Sequence, residues 1–278
     1  MNWNKMRIVI KKEWADTFRN KLVFFTLIFL PLLLTLLPLV NLYVMQVLPA
    51  DEVSETSDVG EASEELGPFE PYIEMLGVSP SDPEGVRQVI MVGMASIYMV
   101  IFFMIPLMIP TMIATDSIVS EKVTKSLEPL LATPISVTEL LVAKALAAAG
   151  PAVAVTWLCY ALYGGIAALF VPGPVLGVIL GLDWIVGILL LSPLMALLAV
   201  GIGIIVSSRV NDTRSAQQIS GLVVLPLMLV FIPMFMGLFT LTAGVFLIGA
   251  AILAVLDVGV IRIATALFRR ETILTRWR

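Results

Sequence analysis

The sequence predicts an all-α integral membrane protein with six transmembrane helices. Three observations carry the prediction. Of its 278 residues, 59% are hydrophobic and 14% charged, where a soluble domain is about 25% charged. The mean hydropathy is +1.00. Apolar runs of membrane-crossing length recur along the chain, at about 22–48, 88–115, 140–171, 185–206, 219–239 and 240–268, and roughly 20 apolar residues suffice to cross the hydrocarbon. No internal repeat is visible, so a transporter built from inverted halves has no support.

Residues 1–21 precede the first run. They carry Lys5, Arg7, Lys11, Lys12, Arg19 and Lys21 against Glu13 and Asp16. Trp3, Met6, Ile10, Trp14 and Phe18 recur at three- and four-residue steps, the pattern of an amphipathic helix lying in the headgroups. The apolar run behind it is too long for the hydrophobic region of a signal peptide, about 7–15 residues. Pro31 and Pro38 are kink sites in the first span. The loop 49–86 holds eleven acidic residues and no Lys or Arg before Arg87. Its first half is expected to be flexible, and Phe69, Tyr72, Ile73, Met75 and Leu76 predict a short ordered helix in the second. Its acidity fits a solvated loop or a cation-binding one. The second span carries Met104, Met108 and Met112 on one face, suited to helix packing, lipid contact or an adaptable apolar pathway. Pro172-Gly173-Pro174 opens a short loop before the fourth span, and residues 207–218 form a small polar turn. Pro233 and a tight turn at 239–242 leave room for a re-entrant segment between spans five and six. Cys159 is the sole cysteine, so no internal disulfide forms.

Charge sets the orientation. With both termini cytoplasmic, sixteen of the seventeen Lys and Arg residues lie inside, Arg87 being the other. The positive-inside rule selects this topology and makes the acidic loop extracellular.

The segment 116–139 is the main polar island in the last two-thirds of the chain. Leu127, Leu130 and Leu131 are spaced as one helix face. Pro134 stops that helix, because Thr133 before it is biased away from helical backbone. Ser136 and Glu139 form a capping-box pattern that starts the next helix. The pattern by itself fits either a connector lying on the membrane surface or a docking surface for another protein, its flanking charges Glu121, Lys122 and Glu128 at the rim.

Glu121-Lys122, Ser126-Leu127-Glu128, Leu130-Leu131-Ala132-Thr133-Pro134-Ile135-Ser136, Glu139-Leu140-Leu141 and Lys144 resemble the cytoplasmic signature of ABC-2 type transporter permeases. Val123 and Lys125 depart from it, where an acidic residue and glycine or arginine are usual. The second cytoplasmic loop, with Arg209, Asp212 and Arg214, is also similar, as are the N-terminal segment around Lys11-Lys12-Glu13-Trp14 and the C-terminal end. The likeness is closest to sodium- and drug-export permeases. It implies a cytoplasmic coupling helix in which Glu121, Lys122, Leu127, Glu128, Leu131, Thr133 and Pro134 meet a separate ABC-type ATPase. It further implies a second copy of this permease or a related one, and a central pathway to which Met104, Met108, Met228, Phe231 and Asp257 are candidates.

Some chemistry is excluded by residue type. There is no Gly-Lys pair and hence no phosphate-binding loop, so ATP and Mg belong on the partner subunit and no cofactor on this chain. Without histidine, Ser–His catalysis and His-ligated metal are excluded; no catalytic or metal residue is assigned, and no nucleic acid is expected. Asp257 is the one deep carboxylate, and such residues are functional by default. The expected role is the permease subunit of an ATP-driven exporter in the cytoplasmic membrane; the alternative is a non-transporting scaffold or assembly factor.

Overall fold

Proline and charge placement decide where the apolar runs begin, break and end. The computed structural model describes residues 2–56, 70–79, 82–125, 135–229 and 242–267. Among these residues there are eleven helices and no strand. They are α1 (Trp3–Arg19), α2 (Lys21–Val47), α3 (Ala50–Thr56), α4 (Glu70–Leu76), α5 (Pro83–Phe102), α6 (Ile105–Val123), α7 (Val137–Ala167), α8 (Gly173–Ile179), α9 (Leu182–Arg209), α10 (Thr213–Leu229) and α11 (Ala243–Leu267). Five stretches are long and apolar enough to cross a membrane: Val23–Val47, Pro83–Val123, Val137–Ala167, Gly173–Arg209 and Ala243–Leu267. The expected span 219–239 is represented by α10, which begins earlier, at Thr213. Residues 230–241, with the expected tight turn, lie outside the described residues.

The second span is longer than its apolar run and is broken in the middle. Asp82 accepts from the amide of Glu84 and caps α5, with Pro83 in the first turn. Pro106 lacks an N–H and its ring crowds the carbonyl of Phe102, where α5 ends. Phe103 and Met104 bridge the break with bonds to Val100 and Ile101, three residues back. α6 then runs on through Val123, well into the segment expected to be a separate coupling element, and Lys125 ends it with a φ of 54°. The capping box at Ser136 and Glu139 starts α7 as expected.

Several loops are shorter than the sequence implied. Pro172-Gly173-Pro174 opens α8 rather than a loop. The turn 207–218 contracts to residues 210–212, because α9 continues to Arg209 and α10 starts at Thr213. The acidic loop is helical at α3, where Val53 packs on Val86 and Ile90; residues 57–69 lie outside the described residues. The predicted second helix is α4, whose Tyr72 and Leu76 pack on the main core. Arg87 has a local purpose on this acidic side. Its guanidinium donates to the carbonyls of Gln46 and Leu48 at the end of α2 and pairs with Glu84.

α9 is the hub, packed against α6, α7, α10 and α11, while α7 carries α1 and α2. α9 and α11 run parallel at close range. A Cβ on Gly187 would stand 2.8 Å from the ring of Phe246, and one on Gly201 would collide with Val260 Cγ1. Small residues at such crossings let backbones approach where no hydrophobic effect drives association. Hydroxyls within the spans mostly satisfy themselves, as Thr35 does on Pro31, Thr111 on Leu107 and Thr156 on Ala152. Trp157 donates to Ser192 and ties α7 to α9.

Candidate functional site

The site is built where α1, α6 and α7 meet, at the end of the bundle that carries the basic residues. α1 buries Met6, Val9 and Glu13. The sequence had placed Met6 on the aromatic face; instead Trp3, Trp14 and Phe18 stay exposed on the adjoining flank. The helix is turned this way by its polar bonds. Trp14 donates to the carbonyl of Ala147, and the amide of Asn2 donates to Glu139.

Glu13 enters a buried ionic cluster. Lys144 Nζ lies 2.8 Å from Glu13 Oε1 and 2.9 Å from Glu121 Oε2. It also donates to Ser117 Oγ at 2.6 Å, and that hydroxyl donates to Glu13 Oε2 at 2.6 Å. Lys12 closes the cluster on Glu121 Oε1. The side chains of Lys144, Glu13 and Glu121 are 5%, 6% and 7% exposed, whereas Lys12 is 48% exposed. Lys12 also lies 3.9 Å from Asp16 Oδ2 and forms the solvent side of the cluster. Burial, the largest influence, pushes the Glu13 carboxyl up; Lys144, Ser117 and Lys12 more than offset it and hold the carboxyl below its ordinary range. Burial likewise lowers the Lys12 ammonium, and the two carboxylates reverse this and raise it.

Glu121, expected at an exposed rim, therefore faces inward and pairs within its own chain. A charge one turn from the end of an apolar helix is satisfied most cheaply by a neighbouring helix, and Lys144 on α7 supplies it. Lys122, expected beside it at the rim, donates to the carbonyls of Ser208 and Val210 at 3.4 and 3.2 Å. It thereby joins the start of the expected coupling segment to the end of α9. Arg209, Asp212 and Arg214 are exposed next to that contact. Asp212 caps α10 by accepting from the amide and hydroxyl of Ser215 at 2.8 and 2.9 Å, which lowers its pKa. Leu127, Glu128, Leu131, Thr133 and Pro134 lie outside the described residues.

Met104 and Met108 line a cavity of about 370 Å³ between α2, α6 and α10, together with Met112, Thr26, Leu30 and Leu225. Phe231 and the side chain of Met228 lie outside the described residues. Asp257 is elsewhere, on the buried face of α11 that packs against α9, so it does not share this cavity.

A family model described as ABC-2 family transporter protein matches residues 7–267. The chain belongs to the ABC-2 transporter family. It is a multi-pass membrane transport component of the ABC-2 permease type. A search of curated proteins returns no match. The matched region of this ABC-2 permease starts within α1 and ends with α11, so it takes in the whole ionic cluster. The sequence shows Glu13 among the charges of the N-terminal segment and Lys144 in the family likeness, but not that the two meet. The available signal was an isolated lysine on an apolar helix, since a charge at that depth requires a partner.

Proposed function

We propose that this ABC-2 permease is the membrane subunit of an ATP-driven exporter. It moves its substrate outward across the cytoplasmic membrane, paired with a second copy or a related permease. A separate ABC-type ATPase, which holds ATP and Mg, docks on the basic, cytoplasmic side. The coupling stretch comprises Glu121, Lys122, Leu127, Glu128, Leu131, Thr133 and Pro134, with Arg209, Asp212 and Arg214 beside it. The observation that carries this reading is the bond from Lys122 to the carbonyls of Ser208 and Val210. It ties the foot of α6 to the end of α9, so a partner pressing on one displaces both. The cavity at Met104 and Met108 is the best-supported candidate for the pathway, being apolar, adaptable and within the spans. Asp257 is a weaker candidate because it points at α9 instead.

Docking rests on Leu127 and Leu131, for which the sequence offers no other cover. Burying one leucine contributes about 1.5–3 kcal/mol, whereas an exposed ion pair contributes about 0–1 kcal/mol. The test is a pull-down with the ATPase and its hydrolysis rate in lipid. Leu127→Asp and Leu131→Asp together should abolish ATPase capture or its stimulation while leaving the permease inserted. Normal assembly and substrate-stimulated turnover in that variant would reject docking through these leucines and return the stretch to a connector on the membrane surface.

A further inference from the structure

We infer that Glu13 and Lys144 are positioning residues: with Glu121 and Ser117 they clasp both roots of the coupling stretch to α1, so that the stretch moves with α1 as one body. The inference rests on the proposed ATPase coupling and names the device that would transmit it.

The geometry supports a clasp over a simple packing contact. Glu121 lies at the foot of α6, where the stretch begins, and Lys144 lies two turns into α7, after it. Their pairing at 2.9 Å closes the base of the loop between the two helices. Glu13 then holds the same ammonium from α1 at 2.8 Å, and Ser117 bonds both Glu13 and Lys144. Three elements are therefore joined at one nitrogen. A second attachment sits nearby, where Glu139 caps α7 and also accepts from the amide of Asn2. α1 is thus fixed at two points along the start of α7.

The choice of charge is informative. A buried ion pair adds little net stability over a well-packed apolar contact. What it supplies is direction, because hydrogen-bonded ions fix one geometry whereas apolar surfaces slide. The three innermost side chains are almost wholly enclosed. A buried, directional contact at the root of the coupling stretch is a lever joint.

The test uses the charge-balanced variant E13Q/K144M, which removes one anion and one cation and leaves Lys12 paired with Glu121. It is assembled with the ATPase in lipid nanodiscs beside wild type and K144R. The clasp predicts normal ATPase capture, an unchanged basal hydrolysis rate and at least a tenfold loss of substrate stimulation, with K144R retaining most of it. It also predicts at least tenfold faster amide exchange in α1 and at residues 135–140 of the permease alone. Wild-type stimulation, or wild-type exchange, in E13Q/K144M would overturn the clasp. So would loss of ATPase capture, which would make the cluster part of the docking surface. If the double variant fails to insert, E13Q alone is read by exchange: faster exchange of α1 supports the clasp and an unchanged profile rejects it. Should wild type itself stimulate no ATPase, the proposed function fails, while the exchange measurement still decides the clasp.

Discussion

Lys144→Met removes the cation that three elements share, and its cost follows from the geometry. Glu13 and Glu121 would remain buried, with Lys12 as their one remaining cation in the cluster. Stripping one partner from a buried pair typically costs about 3–5 kcal/mol. Lys12 already contacts Glu121 and is half-exposed, so the lower end, about 3 kcal/mol, is expected. The pH dependence has a definite sign. The Glu13 carboxyl is held below its ordinary value of 4.5 in the folded chain. Its contribution is therefore complete above pH 4.5 and is lost as pH falls through the lowered value. The Lys12 ammonium is raised above 10.5, so its contribution is complete below that pH and lost only in stronger alkali. The gap between wild type and K144M should narrow on acidification, starting above pH 4.5, because in the variant Glu13 keeps its burial but loses Lys144 and so takes up a proton more readily. Cys159 is buried and is the sole cysteine, so its reaction with a thiol dye on heating reports unfolding. The balanced double E13Q/K144M should recover at least half of the loss. A K144M variant within about 0.5 kcal/mol of wild type, inside the usual range for a surface substitution, would refute the buried cluster, and so would a gap that ignores acid.

Three further substitutions test the packing. Gly187→Leu drives a side chain into the buried ring of Phe246 and should cost about 1–3 kcal/mol by overpacking, read as a lower midpoint in the same thiol assay; an unchanged midpoint would mean that α9 and α11 are not in close contact. Lys125→Gly relieves a left-handed backbone at φ 54° and should stabilise by up to about 1 kcal/mol, whereas a loss of stability would show that the lysine side chain is needed there. Asp257 is 5% exposed and neither carboxylate oxygen has a hydrogen-bond partner among the described residues. Asp257→Leu should therefore stabilise by about 1–3 kcal/mol, and if transport falls at the same time the carboxyl is kept for function; destabilisation would reveal a partner.

Hydropathy was enough to find five membrane-length helices, because about twenty apolar residues have few other uses. Local chemistry was legible too: the capping box at Ser136 and Glu139 needed only three residues of context. What escaped was set by pairing between distant residues. Glu13 and Lys144 are far apart in sequence, and each alone reads as a surface charge. Glu121 looked exposed for the same reason. The extension of α6 to Val123 was hidden because polarity marked 116–123 as part of a separate coupling segment, yet Ser117 and Glu121 bond inward and continue the span as helix. The contraction of 207–218 arose similarly, since the polar residues there cap and flank helices and do not form an open turn. The break at Phe103 was signalled by Pro106, but proline alone does not distinguish a kink from an end.

The central claim is that this chain is the membrane half of an ATP-driven machine. Its most direct test is purification of the chain from its native membranes under mild conditions, followed by nucleotide hydrolysis in lipid. The account predicts a co-purifying subunit with a phosphate-binding loop, in equal number with the permease, whose hydrolysis rate rises with substrate and loses that response with Leu127→Asp and Leu131→Asp. A permease that purifies with no nucleotide-hydrolysing subunit would contradict it, and a partner that ignores those two leucines would overturn the docking site.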